Sequence, residues 1–142
     1  MKTIKKNIYY CDFCRKKGLS SGHMKTHELH CTANPNRDCR VCHQGSFLAE
    51  HVQQLKDRFD IVPNFVEGHG VYGDKISWKS EPVTLKEVRR LADNCPMCTL
   101  ALLRQSGLNI YVFMELTKLG FTEFDFKAEL ESYMSEQHME QY

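Results

Sequence analysis

The amino-acid sequence predicts an α+β fold, a small N-terminal unit joined to a mainly helical body, and three observations carry that prediction. Five of the seven cysteines crowd into residues 9 to 42, and the other two return as Cys95-Pro96-Met97-Cys98. Within the crowded quarter, Cys11, Cys14, His27 and Cys31 follow the spacing C-x2-C-x12-H-x3-C. Further along, apolar residues recur at helical spacing between breaks rich in Gly, Pro and Asn. With 142 residues, 42% of them hydrophobic and 26% charged, the chain suffices for one compact unit around one modest core.

Cys-x2-Cys sets two thiolates on one tight turn, where both sulfurs reach the same tetrahedral metal. The spacing from Cys11 to Cys31 is one at which such a knuckle and the last turns of a helix close around zinc. His27 and Cys31, four apart, share a helical face. His30 is adjacent to Cys31, and the softer thiolate with the commoner spacing favours Cys31 as fourth ligand. His23 could replace His27 only by shortening the loop, so it reads as a helix-surface residue.

Residues 9 to 31 resemble the C2H2/C2HC zinc-finger family. Tyr9 supplies the aromatic two before the first cysteine, and Met24 the apolar residue three before the histidine. The resemblance implies a ββα finger over residues 1 to 33 with Met24 inside it, and nucleic-acid binding as the expected use. One departure weakens the finger's own core: Gly18 stands where the family has an aromatic, with Leu19 beside it. The finger is therefore expected to lean on the rest of the chain.

Residues 1 to 8 read as a basic lead-in to the first strand, and Ser20 and Ser21 as caps for a helix running to about Cys31. Asn34-Pro35-Asn36 blocks any continuation. Only seven residues separate Cys31 from Cys39-Arg40-Val41-Cys42, so the body, residues 34 to 142, is expected to couple rigidly to the finger. Residues 46 to 60 predict a helix with Leu48, Val52, Leu55 and Phe59 on one stripe. Residues 61 to 66 predict a short strand interrupted by Pro63, and Gly73-Asp74 a hairpin turn leading into Lys75–Trp78. Thr84-Leu85-Lys86-Glu87 is a capping box opening a helix to about Asn94. Pro96 opens the next helix and Gly107 ends it. Residues 109 to 119 carry mixed strand and helix signals, and Thr122 predicts the cap of a last helix from Glu123 to about His138.

Cys39, Cys42, Cys95 and Cys98 form two knuckles separated by 52 residues. So long an insertion is tolerated because closure entropy grows by only ~0.6 kcal/mol per doubling of loop length. Four cysteines make a closed structural zinc site, the expected link between finger and body. His43 could replace a thiolate, but four cysteines suffice. A redox dithiol at Cys95 and Cys98 needs a βαβ context that is absent, and it would strand Cys39 and Cys42. Two structural Zn²⁺ ions are thus expected, one at −1 with three thiolates and a neutral imidazole, the other at −2. The whole order of motifs also resembles small Cys/His-rich proteins encoded by bacteriophages. That resemblance implies a bacterial cytoplasmic setting and no particular activity.

An odd cysteine count with metal spacing argues against a secreted disulfide scaffold, and the charged start lacks a following apolar segment. No apolar run approaches the ~20 residues of a membrane span, so the cytoplasm is the expected compartment and no membrane partner is expected. Residues 1 to 43 carry a net charge of +6 and residues 44 to 142 carry −5. A finger reading DNA as the family does would present Ser20, Gly22, His23 and Thr26, none of which makes bidentate base contacts. DNA or RNA backbone contact remains, through Lys5, Lys6, Arg15, Lys16, Lys17, Lys25, Arg37 and Arg40. The alternative is a phage-type module that binds and inhibits or redirects a host protein complex, using an acidic tail that holds Phe121, Phe124, Phe126, Tyr133 and Tyr142. No catalytic residue is assigned: His69, Glu67 and Asp74 stand at no motif spacing, and there is no P-loop, Gly-x-Ser-x-Gly or His-Glu-x-x-His.

Overall fold

A computed structural model describes residues 1–43, 48–66, 70–108 and 120–140. The chain opens with a two-residue ribbon, β1 (Tyr9–Tyr10) antiparallel to β2 (Lys17–Gly18), followed by helix α1 (Ser21–His30). Ser20 is extended and its hydroxyl accepts the His23 N–H, satisfying one of the free donors at the helix start. The core of this ββα unit is small: Cys11, Met24 and Cys31, flanked by Tyr9, Cys14 and Ala33. Gly18 has a steric reason, because a Cβ there would lie 3.2 Å from Met24 Cε. The space of an aromatic is filled by Met24, and Leu19 points away at 64% exposure.

Residues 32–38 fold back onto the end of α1. The Asn34 amide donates to the Glu28 carbonyl at 2.7 Å, and the Asp38 N–H donates to the Leu29 carbonyl at 2.9 Å. These bonds occupy carbonyls that a helix end leaves free, so the link is held where the breaker residues predict only a turn.

The body contains α2 (Leu48–Lys56), the ribbon β3 (Phe59–Val66) with β4 (Gly70–Trp78), α3 (Leu85–Leu91), α4 (Pro96–Ser106), a 3-10 turn (Phe121–Glu123) and α5 (Phe126–Glu140). Its core gathers Val52, Leu55, Phe59, Ile76, Val83, Val88, Ala101 and Leu102, and it also encloses Cys39, Cys95 and Cys98. The architecture is mixed helix and small antiparallel sheets, compatible with the α+β class. Among the described residues no helix is long and apolar enough to cross a membrane.

Five local expectations need correction. The helix predicted over 46–60 ends at Lys56, and Phe59 reaches the core from a strand, edge-to-face on Trp78 at 5.7 Å. Val52, Leu55 and Phe59 all point inward, which is why helical spacing looked sufficient. Strand β3 runs through Pro63 with only a register shift between Pro63 and Phe65, because each strand of a two-stranded ribbon is an edge. Gly73 and Asp74 lie inside β4, where Asp74 pairs with Pro63, and do not form a turn. Pairing from Phe59↔Trp78 to Val66↔Gly70 leaves residues 67–69, outside the described residues, to join the strands. Helix α3 stops at Leu91 because Asp93 and Asn94 adopt left-handed φ of 54° and 60°, a region these residues tolerate. Helix α5 begins at Phe126, with the Ala128 N–H bonded to the Asp125 carboxylate, so Asp125 takes the capping role expected of Thr122. The ambiguous stretch 109–119 lies outside the described residues, as do Glu67, His69 and Tyr142.

Candidate metal centres

Two knuckles are built alike although their sequences differ. The Arg15 N–H donates to the Cys11 carbonyl at 3.0 Å, and the His43 N–H donates to the Cys39 carbonyl at 3.1 Å. In each, the residue after the second cysteine is left-handed, with φ 62° at Arg15 and 58° at His43. Such a turn points both thiols of the pair to one side. The Val41 and Cys42 N–H groups lie 3.4 and 3.5 Å from Cys39 Sγ, donors that favour a thiolate. The third knuckle uses a helix start: Cys95 caps α4, Pro96 occupies the first position, and Thr99 donates both N–H and hydroxyl to the Cys95 carbonyl. Cys98 thus sits in the first turn, where the helix dipole stabilises negative charge.

The fold brings both predicted quartets together. Cys11, Cys14, His27 and Cys31 form one group and Cys39, Cys42, Cys95 and Cys98 the other, with all donor atoms of a group within 4.8 Å of one another. His27 Nε2 lies 3.2 Å from Cys14 Sγ. Cys39 Sγ lies 3.7 Å from Cys95 Sγ, and Cys42 Sγ 3.4 Å from Cys98 Sγ. None of the seven cysteines forms a disulfide, and these separations are far beyond the ~2.05 Å of an S–S bond. His30 Nδ1 donates to the Asp38 carbonyl at 2.9 Å, and the donor atoms that come together in the finger group include Cys31 rather than His30. Each group is able to hold a metal ion.

Crowding spreads the thiol acidities apart. Cys39 is held far below the usual thiol range, chiefly by Cys95 and then Cys98, while Cys39 pushes Cys95 up to about 12 and Cys98 higher still. In the finger group burial raises Cys31 to about 11. Burial also opposes ionisation of Cys14, but the Lys16 backbone and His27 outweigh it and bring that thiol down to about 6. Four adjacent thiols share protons in this way because their negative charges repel; a cation among them lets all four ionise.

Arg37 supplies an independent sign of charge at the four-cysteine group. Its side chain is 2% exposed, its Nη1 lies 3.8 Å from Cys98 Sγ, and its Nε donates to the His30 carbonyl at 3.4 Å. Nη2 is the one buried side-chain nitrogen or oxygen without a partner among the described residues. No carboxylate pairs with Arg37 among those residues. A buried guanidinium needs a counter-charge, and the cysteine sulfurs are the groups placed to provide it. This corrects the expectation that Arg37 contacts a polyanion. Its apolar stem and head are enclosed between the end of α1 and the start of α4.

The other predicted contact residues, Lys5, Lys6, Arg15, Lys16, Lys17, Lys25 and Arg40, are exposed. Arg104, 64 positions beyond Arg40, was not among them: its Nη1 donates to Thr32 Oγ1 at 2.6 Å, and Gln105 beside it donates to the Thr32 and Asn34 carbonyls. Spacing alone held no signal for this, since α4 meets the link only in the folded chain. Among the predicted reading positions, Thr26 spends its hydroxyl on the Gly22 carbonyl at 3.1 Å. Two of the tail aromatics join the core, Phe121 buried in it and Phe124 packed against it. Comparison with family models, with curated proteins and with solved structures finds no match.

Proposed function

We propose that both centres hold zinc as closed structural sites, and that the protein is a non-enzymatic nucleic-acid-binding factor using the basic face of its finger. Tetrahedral zinc with Zn–S arms of ~2.3 Å has S···S edges of roughly 3.8 Å, close to the separations in the four-cysteine group. Each quartet completes a four-coordinate shell from protein alone and leaves no position for water or substrate, the arrangement of a scaffold rather than a catalyst.

The observation that carries the binding half is the unpaired cation set of the finger and the second knuckle. The ion pairs among the described residues are Arg58–Glu87, Lys79–Asp60 and Arg89–Glu129, all in the body. Arg15, Lys16, Lys17, Lys25 and Arg40 therefore stay exposed and uncompensated, next to a link too short to separate finger from body. Such a surface attracts phosphate backbones without reading sequence. The test is binding of zinc-loaded protein to labelled duplex DNA, single-stranded DNA and RNA across a salt series. Engagement of about five phosphates predicts a log–log slope near −3.5 on single strands and −4.5 on duplex. Absence of binding at low salt with two zincs per chain would overturn the reading.

A further inference from the structure

The finger and the body face each other across a cleft of about 490 Å³, walled by α1 on one side and α4 with the start of α5 on the other. Its cations come from three separate places: Lys16 from the first knuckle, Arg40 from the second, and Arg104 from the last turns of α4. Among the described residues no carboxylate lines it. Between the cations lie the half-buried side chains of Met97, Leu100 and Phe126. The Thr32 hydroxyl accepts from one arm of Arg104, so this guanidinium is oriented before any ligand arrives, and its other donors remain for an anion.

Cations alone would suit any polyanion, but cations around an apolar floor suit fewer ligands. A duplex keeps its base faces stacked and offers only phosphate to such a cleft. A single strand offers a phosphate and an unstacked base together, and aromatic and apolar side chains take the base face. The volume falls within the ~300–1,000 Å³ of small-ligand sites, enough for one nucleotide unit and too little for a helix.

Resting on the nucleic-acid reading above, we propose that this cleft binds a nucleotide unit of a single strand. The phosphate lies among Lys16, Arg40 and Arg104, and the base lies on Phe126 with Leu100 and Met97. The finger's outer cations then serve attraction, and the cleft supplies the preference for single strands.

The experiment uses the full-length, zinc-loaded chain and a labelled oligothymidine, read by fluorescence anisotropy, with zinc content checked at two per chain for every variant. The Arg40→Gln/Arg104→Gln pair is expected to weaken binding about tenfold or more, against about threefold or less for Arg15→Gln/Lys17→Gln/Lys25→Gln. The reverse order overturns the cleft and leaves the basic-face reading standing, whereas no binding by the unaltered protein overturns both. Because Arg104 also bonds Thr32, a second arm leaves Arg104 in place and alters the strand. An abasic strand of equal charge is expected to bind about tenfold more weakly, and Phe126→Ala to erase that difference. Equal binding of the two strands overturns the base-stacking floor. Thymidine monophosphate as competitor separates strand from free nucleotide: displacement only at roughly 100-fold higher concentration supports the strand, and displacement at equal concentration overturns it.

Discussion

Arg37→Met removes the buried guanidinium beside Cys98 while keeping a side chain of similar reach, so the change is mainly one of charge. With zinc bound, the four-thiolate centre carries −2, and Arg37 is the cation set against it. At the observed 3.8 Å, a unit charge pair at an effective dielectric near 20 interacts by about 4 kcal/mol. Two effects reduce that figure. The negative charge is shared by four sulfurs and the metal, and the substitution also removes the cost of burying the guanidinium, with its orphaned Nη2. The remainder is expected at ~1.4–2.7 kcal/mol, a 10- to 100-fold loss of affinity, as other outer-shell partners of metal sites show. Competition against a chromophoric chelator at fixed pH measures it. Cobalt substitution, followed through thiolate-to-metal absorption, confirms that four sulfurs still bind. Arg37→Lys keeps the charge without the planar fork and should recover part of the loss. An Arg37→Met protein that binds its second zinc within about twofold of the parent would falsify the counter-ion role.

Cys95→Ser removes one donor from the four-cysteine group and should lower metal content from two zincs per chain to one, by elemental analysis; retention of two would mean that the quartet is not the site. His43→Gly should relieve a left-handed residue at φ 58°, raising stability by roughly 1 kcal/mol in thermal unfolding. It should also leave both metals bound, and loss of one would make His43 a ligand. Leu102→Ala deletes a fully buried side chain between the body helices, and urea unfolding should show a cost of ~2–5 kcal/mol. A cost below about 1 kcal/mol would show that this core is not tightly packed.

The metal quartets were legible in the sequence because a knuckle is a local object: two thiols on one turn must share a target wherever the turn sits. Pairing the two distant knuckles followed by elimination, since four thiols close a shell and two do not. Helix starts were also legible where a side chain closes its own turn, as at Ser20 and Thr84. The errors came where two local signals competed. Phe59 satisfies a helical stripe and a strand equally well, and cross-strand pairing with Trp78 decided for the strand. Gly73-Asp74 is a good turn pair, but register set from Phe59↔Trp78 carried it into β4. Arg37 and Arg40 look alike in a basic segment; one is enclosed and the other exposed because the link folds back over α1. That difference depends on Asn34, Asp38 and Gln105 acting together, and no window of sequence contains all three with their partners.

The two centres divide the work of holding the cleft open at a set width. The finger group fixes the end of α1 against the first knuckle and so places Lys16. The four-cysteine group clamps the second knuckle to the start of α4 and so places Arg40 against Arg104. The finger's own core of three buried residues is too small to order these walls by apolar burial; where both groups hold metal, the metal brings together the pieces that the hydrogen bonds at Thr32 and Asn34 then join. Under the zinc reading, removing either ion therefore releases one wall. Because coupling free energies are reciprocal, a ligand seated across both walls must tighten the hold on zinc by the same factor that zinc tightens the hold on the ligand.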